Sequence, residues 1–204
     1  MRSDPDFWTT LAPEYARRPL ANTAQYEDML ERMRLMLEPD DHVVEIGCGT
    51  GGVVRALKND VTWIMGTDFS PGMVEIAEQR SLDHDAEFAV APADDIRADD
   101  GPLEAVLAFN LLDLLDNPHD VLKAVVHALV PGGHFWSKTP LLGNTGWLTR
   151  MPVWTMQRLG RAPFTAWLQQ ETLDDMLLQA GFVLEETHIY PGKVPSRFVV
   201  AQKP

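Results

Sequence analysis

A single cysteine, Cys48, in 204 residues excludes any intrachain disulfide and any thiolate-built metal cluster, and it fits a reducing compartment. The six histidines (42, 84, 119, 127, 134 and 188) form no HExxH or comparable close pair, so a histidine-built metal centre has no support. No apolar run approaches the roughly 18 residues of a membrane span. The opening MRSDPDFW also lacks the apolar stretch of a signal peptide, so the expectation is a soluble, cytoplasmic chain. Positive charge is scarce: 17 Lys and Arg stand against 30 Asp and Glu, a net charge of -13. A nucleic-acid footprint needs an accumulated basic face, so RNA and DNA are disfavoured as partners. No internal repeat or linker divides the chain. With 45% hydrophobic and 23% charged residues it has the composition of one globular domain over residues 1–204.

What is present is an alternation of short β-branched runs with amphipathic stretches, the pattern of a mostly parallel sheet covered by helices. Tyr26, Met29, Leu30, Met33 and Leu37 fall at helical spacing, and Pro39-Asp40-Asp41 ends that helix. Strands are expected at 42–46, 61–67, 87–91, 103–109 and 134–138. Helices are expected near 50–58, after Ser70-Pro71, over 118–129 up to Pro131-Gly132-Gly133, and from Thr172 to Gly181. Residues 182–190 and 196–201 read as two strands joined as a hairpin through Pro191-Gly192-Lys193-Val194-Pro195, in place of another crossover.

The most informative stretch is Val43-Val44-Glu45-Ile46-Gly47-Cys48-Gly49-Thr50-Gly51-Gly52, a buried strand passing through glycines directly into a helix. Glycines permit the tight turn and a close approach of ligand to backbone, and the free amides of a helix start favour an anionic group. Asp68 follows Gly47 by 21 residues, at the end of the second expected strand, where a carboxylate can accept both hydroxyl protons of a ribose. Spacing alone leaves the ligand open, because Gly47, Gly49 and Gly52 fit GxGxxG while Gly47, Gly49 and Gly51 fit GxGxG. Glu45 tilts the choice. Its charge is awkward beside a pyrophosphate and tolerable beside a cationic amine or sulfonium.

In combination these segments resemble the class I S-adenosylmethionine-dependent methyltransferases, in particular the small single-domain, ubiquinone/menaquinone-methyltransferase-like members. VVEIGCGTGG resembles the family's first motif and GTDFSPGM (66–73) its acidic motif. LVPGGHFWSKTP (129–140) resembles its PGG motif, and LDDMLLQAGF (173–182) its terminal helix-to-strand motif. The resemblance implies an α/β, three-layer, Rossmann-like seven-stranded sheet, mostly parallel with an antiparallel C-terminal strand. It also implies S-adenosylmethionine as cofactor and S-adenosylhomocysteine as product. By matching position, Gly47, Gly49 and Gly51 would line the methionine moiety, Glu45 would organise the loop, Asp68 would bind the ribose and Phe69 would pack on the adenine. Ala93 and Asp94 would reach the adenine edge, Phe109 and Asn110 would close the pocket, and Cys48 and Met73 complete the expected set. The chain departs from the family in having Ala91-Pro92-Ala93 where many relatives place Asp, and Asp113 where many carry His.

Methyl transfer from a sulfonium is an in-line displacement in which positioning and desolvation supply most of the acceleration, so a dedicated base is optional. No catalytic residue stands out; Asp113 is the one weak candidate, since helix starts enrich acidic residues for dipole reasons alone. Asp94, Asp95, Asp99 and Asp100 read as a solvated charge run and no metal is expected.

Residues 1–40 are expected as an N-terminal helical lid, with Trp8 and Tyr15 facing the substrate, and 139–170 as a cap insertion. Residues 138–170 carry Lys138, Arg150, Arg158 and Arg161 and no acidic side chain, together with Trp147, Met151, Trp154, Met156, Leu159, Phe164 and Trp167. Trp147, Arg150 and Trp154 are the expected substrate contacts there, although the same aromatics would equally serve by packing on the sheet. The acceptor expected from this cap is small and hydrophobic or lipid-like, with an acidic or phosphate group as a further option, and weak contact with a membrane surface is a companion expectation. A nicotinamide-dependent oxidoreductase and a noncatalytic S-adenosylmethionine-binding scaffold are the competing readings. Oligomeric state is left open.

Overall fold

The computed structural model describes residues 4–20, 22–81, 86–96, 102–159 and 162–204, without the side chains of residues 148 and 149. Asp99, Asp100 and Arg161 therefore lie outside the described residues. Helices α1 (Pro5–Arg17) and α2 (Thr23–Met36) precede strand β1 (His42–Ile46). There follow α3 (Gly52–Leu57), β2 (Trp63–Asp68), α4 (Pro71–Arg80), β3 (Glu87–Val90), β4 (Leu103–Phe109), α5 (Pro118–Ala128) and β5 (Leu129–Pro140). Helices α6 (Trp147–Arg158) and α7 (Gln170–Ala180) then lead to β6 (Val183–Tyr190) and β7 (Ser196–Gln202). The seven strands form one sheet in the order β3-β2-β1-β4-β5-β7-β6. All pairings are parallel except those of β7, which runs antiparallel to both β5 and β6.

Alternation along the strands divides the core between two faces. Val44, Ile46, Val106 and Phe135 pack against Val121, Leu122 and Val125 of α5 and Leu173 and Leu177 of α7. Val43, Ile64, Leu107 and Trp136 pack against Met29, Leu30 and Met33 of α2 and Val53, Val54 and Leu57 of α3. Helix starts follow their local chemistry: the Asn22 side chain accepts the Gln25 amide, and the Ser70 side chain accepts the Met73 amide ahead of Pro71. Gly181, at φ 108°, closes α7 in the left-handed region.

Two boundaries differ from the sequence reading. Pro131-Gly132-Gly133 does not simply stop α5; it lies inside β5, where Leu129 pairs with Leu103 and pairing resumes at His134 opposite Ala105 after a register shift. Gly132 and Gly133 are also clasped by Lys203, with Gly132 N–H donating to the Lys203 carbonyl and Lys203 N–H donating to that of Gly133. A long-range clasp of this kind leaves no mark in the local pattern. Residues 139–170 contain a full helix, α6, where the sequence shows only a cap of unassigned structure.

Candidate cofactor and acceptor site

The parallel strands β1, β2 and β4 end on one edge of the sheet, and a cavity of about 290 Å³ opens there. Open α/β sheets bind ligands at the carboxyl ends of their strands, and the reversal of order between β1 and β4 marks the crevice. The β1 end is built for close approach. Gly47 and Gly49 line the cavity and both adopt positive φ, 66° and 54°. A Cβ on Gly47 would lie 2.7 Å from Cδ1 of Leu111, so the residue is excluded from gaining a side chain on two counts.

Asp68, at the end of β2, is buried and lines the cavity. Its Oδ2 accepts the Gly49 amide at 3.0 Å and its Oδ1 accepts the Ser70 amide at 2.9 Å. Each carboxylate oxygen retains a lone-pair direction for a ligand hydroxyl. Burial pushes the Asp68 carboxyl above its ordinary value, more than these two amides lower it. Glu45 does not reach the cavity. It is buried behind the loop, where burial pushes its carboxyl up to about 8; the Val54 amide opposes that shift and the Asp68 charge adds to it. Glu45 Oε2 has no hydrogen-bond partner.

Phe69, Met73, Ala93, Asp94, Phe109 and Asn110 all line the cavity. Asn110 is the only non-glycine with positive φ among the described residues, at 55°, and its amide donates to the Lys138 carbonyl at 2.7 Å, holding the turn at the end of β4. From α1, Trp8 and Tyr15 complete one wall, their rings meeting edge to face at 6.3 Å. Tyr15 Cε1 stands 3.7 Å from where a Cβ on Gly49 would be, so the ring lies over the glycine loop. Burial, and then the charges of Glu45 and Asp68, raise its phenol above the ordinary value.

Several expected residues lie elsewhere. Cys48 is buried with Sγ turned toward Gly66, and burial raises its thiol well above the ordinary value, so it acts as apolar filling. Gly51 is the left-handed start of α3 and packs against Phe88. Asp113 is buried outside the cavity lining, its Oδ1 without a partner and its carboxyl pushed up to about 7 by burial. Trp147, Arg150 and Trp154 are absent from the lining as well. Arg150 turns inward: its guanidinium donates to the Gly143 carbonyl and lies 5.8 Å from the Trp167 ring centre. Trp147 and Trp154 are exposed on α6.

The sequence reading missed Leu111, Leu114, Leu115, Asn117, Asp120 and Val121, which with Asp116 form a further wall. The signal was available, because these residues run from the end of a central parallel strand into the start of α5. Among the described residues the lining holds four aspartates, 68, 94, 116 and 120, and no Lys, Arg or His. A ligand bearing positive charge is favoured there. Among the described residues no group of three His, Cys, Asp or Glu could hold a metal ion. No helix of the described residues is long and apolar enough to cross a membrane.

A seven-stranded sheet with β7 inserted antiparallel, and a glycine turn facing an acidic residue on the next strand, together define a class I methyltransferase fold. Residues 43–133 match the family described as methyltransferase domain. The chain is 28% identical over 166 residues to the demethylmenaquinone methyltransferase of Clavibacter sepedonicus, covering 72% of this chain and 67% of that one. It is 24% identical over 100 residues to the ubiquinone biosynthesis O-methyltransferase of Xylella fastidiosa, covering 48% of this chain and 41% of the relative, so it spans less than half of that protein's length. A chain from the complex of the Haloferax volcanii Trm112 methyltransferase activator superposes with a TM-score of 0.77 at 20% identity, over 98% of this chain and 95% of its own. The matched methyltransferase domain, the curated relatives and the fold together support a class I S-adenosylmethionine-dependent methyltransferase.

Proposed function

We propose that this chain transfers the methyl group of S-adenosylmethionine to a small, largely apolar acceptor such as a quinone-like ring. The observation that carries the reading is one cavity with two unlike halves. Gly47, Gly49, Asp68 and Phe69 form one, and Leu111, Leu114 and Leu115 the other. The first half suits the cofactor: Asp68 accepts the ribose hydroxyls, Phe69 and Met73 pack against the adenine, and Ala93 with Asp94 meets its edge. The glycine turn leaves room for the methionine portion. The uncompensated aspartates fit a ligand carrying a sulfonium and an ammonium. Bound there, S-adenosylmethionine supplies a methyl group activated by the sulfonium.

The leucine half holds the acceptor ring, and Trp8 and Tyr15 close over the site to exclude water. Positioning and desolvation then supply most of the acceleration. The names of the relatives, which concern ubiquinone and menaquinone, support a ring acceptor of this kind. An anionic handle on the acceptor is disfavoured, because Asp68, Asp94, Asp116 and Asp120 of the lining would repel it.

The test is transfer of labelled methyl from S-adenosylmethionine to a panel of catechols and naphthoquinols, in wild type and Asp68→Ala. Transfer to an apolar ring that disappears in the variant supports the proposal. Cofactor binding by calorimetry with no transfer to any ring acceptor overturns the acceptor assignment and favours a scaffold.

A further inference from the structure

Helix α6 stands apart from the rest of the fold. It is the only one of the seven helices with no buried residue among its described side chains. Among the described residues, five of the twelve exposed large apolar ones fall in 147–159: Trp147, Met151, Trp154, Met156 and Leu159. Trp147, Met151, Trp154 and Arg158 follow at i, i+4, i+7 and i+11, which places them on one stripe. The three apolar members are 71%, 51% and 46% exposed. A helix paying this much for exposed apolar area is using it.

The charge around the stripe identifies what covers it. Residues 138–170 hold four of the chain's 17 basic side chains and none of its 30 acidic ones. Arg158 stacks over Trp154, 5.1 Å from the ring centre, and these two residues line a surface groove with Gln157 and Phe164. An aromatic ring beside a snorkelling arginine suits the headgroup boundary of a bilayer, where the ring has an apolar body to bury and the cation meets phosphate. Arg158 is the cation on the stripe and no acidic residue falls in 138–170, so the stripe favours an anionic surface. The base of the helix is braced for such a load. Gly143 donates to the Leu168 carbonyl at 2.8 Å, and Arg150 ties the first turn of α6 to Gly143.

We infer that α6 is an interfacial docking helix, and that its Trp147-Met151-Trp154-Arg158 stripe seats the protein on a bilayer containing anionic phospholipid. The segment that carries it leaves the sheet at the carboxyl end of β5, the same edge on which the cavity opens. Docking thus turns the cavity edge toward the lipid. The inference does not rest on the methyl-transfer reading, since it concerns a surface and not the reaction.

The experiment is co-sedimentation of the full chain with vesicles of phosphatidylcholine alone and of phosphatidylcholine with 30% phosphatidylglycerol. Wild type is compared with Arg158→Gln and with the double variant Trp147→Ser, Trp154→Ser. Wild type is expected to partition onto the anionic vesicles, weakening with salt. Arg158→Gln should bind about fivefold less well, the factor that about 1 kcal/mol for one surface cation represents. The double variant should lose about tenfold or more, with thermal midpoint and S-adenosylhomocysteine affinity unchanged. Equal binding of wild type to both vesicle types, or binding by the double variant that equals wild type, overturns the inference. So does a wild type that ignores vesicles and instead forms dimers that the double variant abolishes, because the stripe would then cover a second copy of the chain.

Discussion

The carboxylate of Asp68 accepts the backbone N–H of Gly49 at 3.0 Å, so the end of β2 and the turn after β1 are held as one unit. The same side chain accepts the Ser70 amide, which also fixes the start of α4. Replacing Asp68 with Ala strands two amides and removes the expected ribose acceptor. The loss of buried partners costs roughly 1–3 kcal/mol, a fall in midpoint on the order of 3–10 °C for a chain of this size. Differential scanning fluorimetry should show this fall without ligand. The stabilisation by S-adenosylhomocysteine seen in wild type should vanish in the variant.

Gly47→Ala tests the close approach in the turn. Its φ of 66° and the 2.7 Å gap to Leu111 leave an added methyl both strained and crowded. The expected cost is about 1–3 kcal/mol, with cofactor affinity falling at least tenfold as Leu111 is displaced into the cavity. Calorimetric titration against wild type checks it. The matched control, Gly132→Ala, has positive φ but open space around it, so it should destabilise and leave affinity alone.

Glu45 makes stability depend on pH in the direction opposite to a salt-bridged acid. Its carboxyl is raised from 4.5 to about 8, so the folded state holds a proton that the unfolded chain releases. The stability this contributes is present in full below about 4.5 and is lost as pH rises to about 8, a difference on the order of 5 kcal/mol. Glu45→Gln keeps the neutral shape. Urea melts from pH 5 to pH 9 should therefore fall less steeply for Glu45→Gln, with the variant more stable than wild type at pH 9.

Asp113 has the same sign, its carboxyl raised from 3.8 to about 7 by burial, and it adds to the loss of stability across that window. Because its side chain does not line the cavity, Asp113→Asn should leave turnover within about threefold of wild type while flattening the stability profile near pH 7. A fall of a hundredfold or more in kcat with stability intact would restore Asp113 as a base.

Tyr15→Ala should weaken cofactor retention by opening the wall over Gly49, whereas Tyr15→Phe, which keeps the ring, should bind as wild type. Dissociation rates measured by stopped-flow displacement separate the two.

The local pattern disclosed the fold where one segment's own residues determine its structure. β1 and β4 fall at 42–46 and 103–109 as the apolar runs imply, and Ser70-Pro71 caps α4. The glycines and Asp68 were legible because a tight turn and a buried carboxylate each restrict residue type strongly. The bulged start of β5 was not, since Gly132 and Gly133 are shaped by Lys203, about 70 residues further on. The leucine wall at 111–121 was also hidden. Leucine fits core and pocket alike, and only the edge on which β4 ends distinguishes them. Arg150 reads as a substrate contact in sequence, yet the Gly143 carbonyl and the Trp167 ring hold it inward.

The position of β7 governs how the sheet can be assembled. It is made after β6, yet lies between β6 and β5, and among the described residues β6 pairs with no other strand. Strands therefore cannot join in order of synthesis on that side. β6 must wait, unpaired, until its neighbour exists and then dock with it as a ready-made hairpin. Closure of the β5 edge becomes the late, cooperative step of folding, and a synthesis arrested between residues 190 and 196 would leave both β5 and β6 open to pairing with another chain.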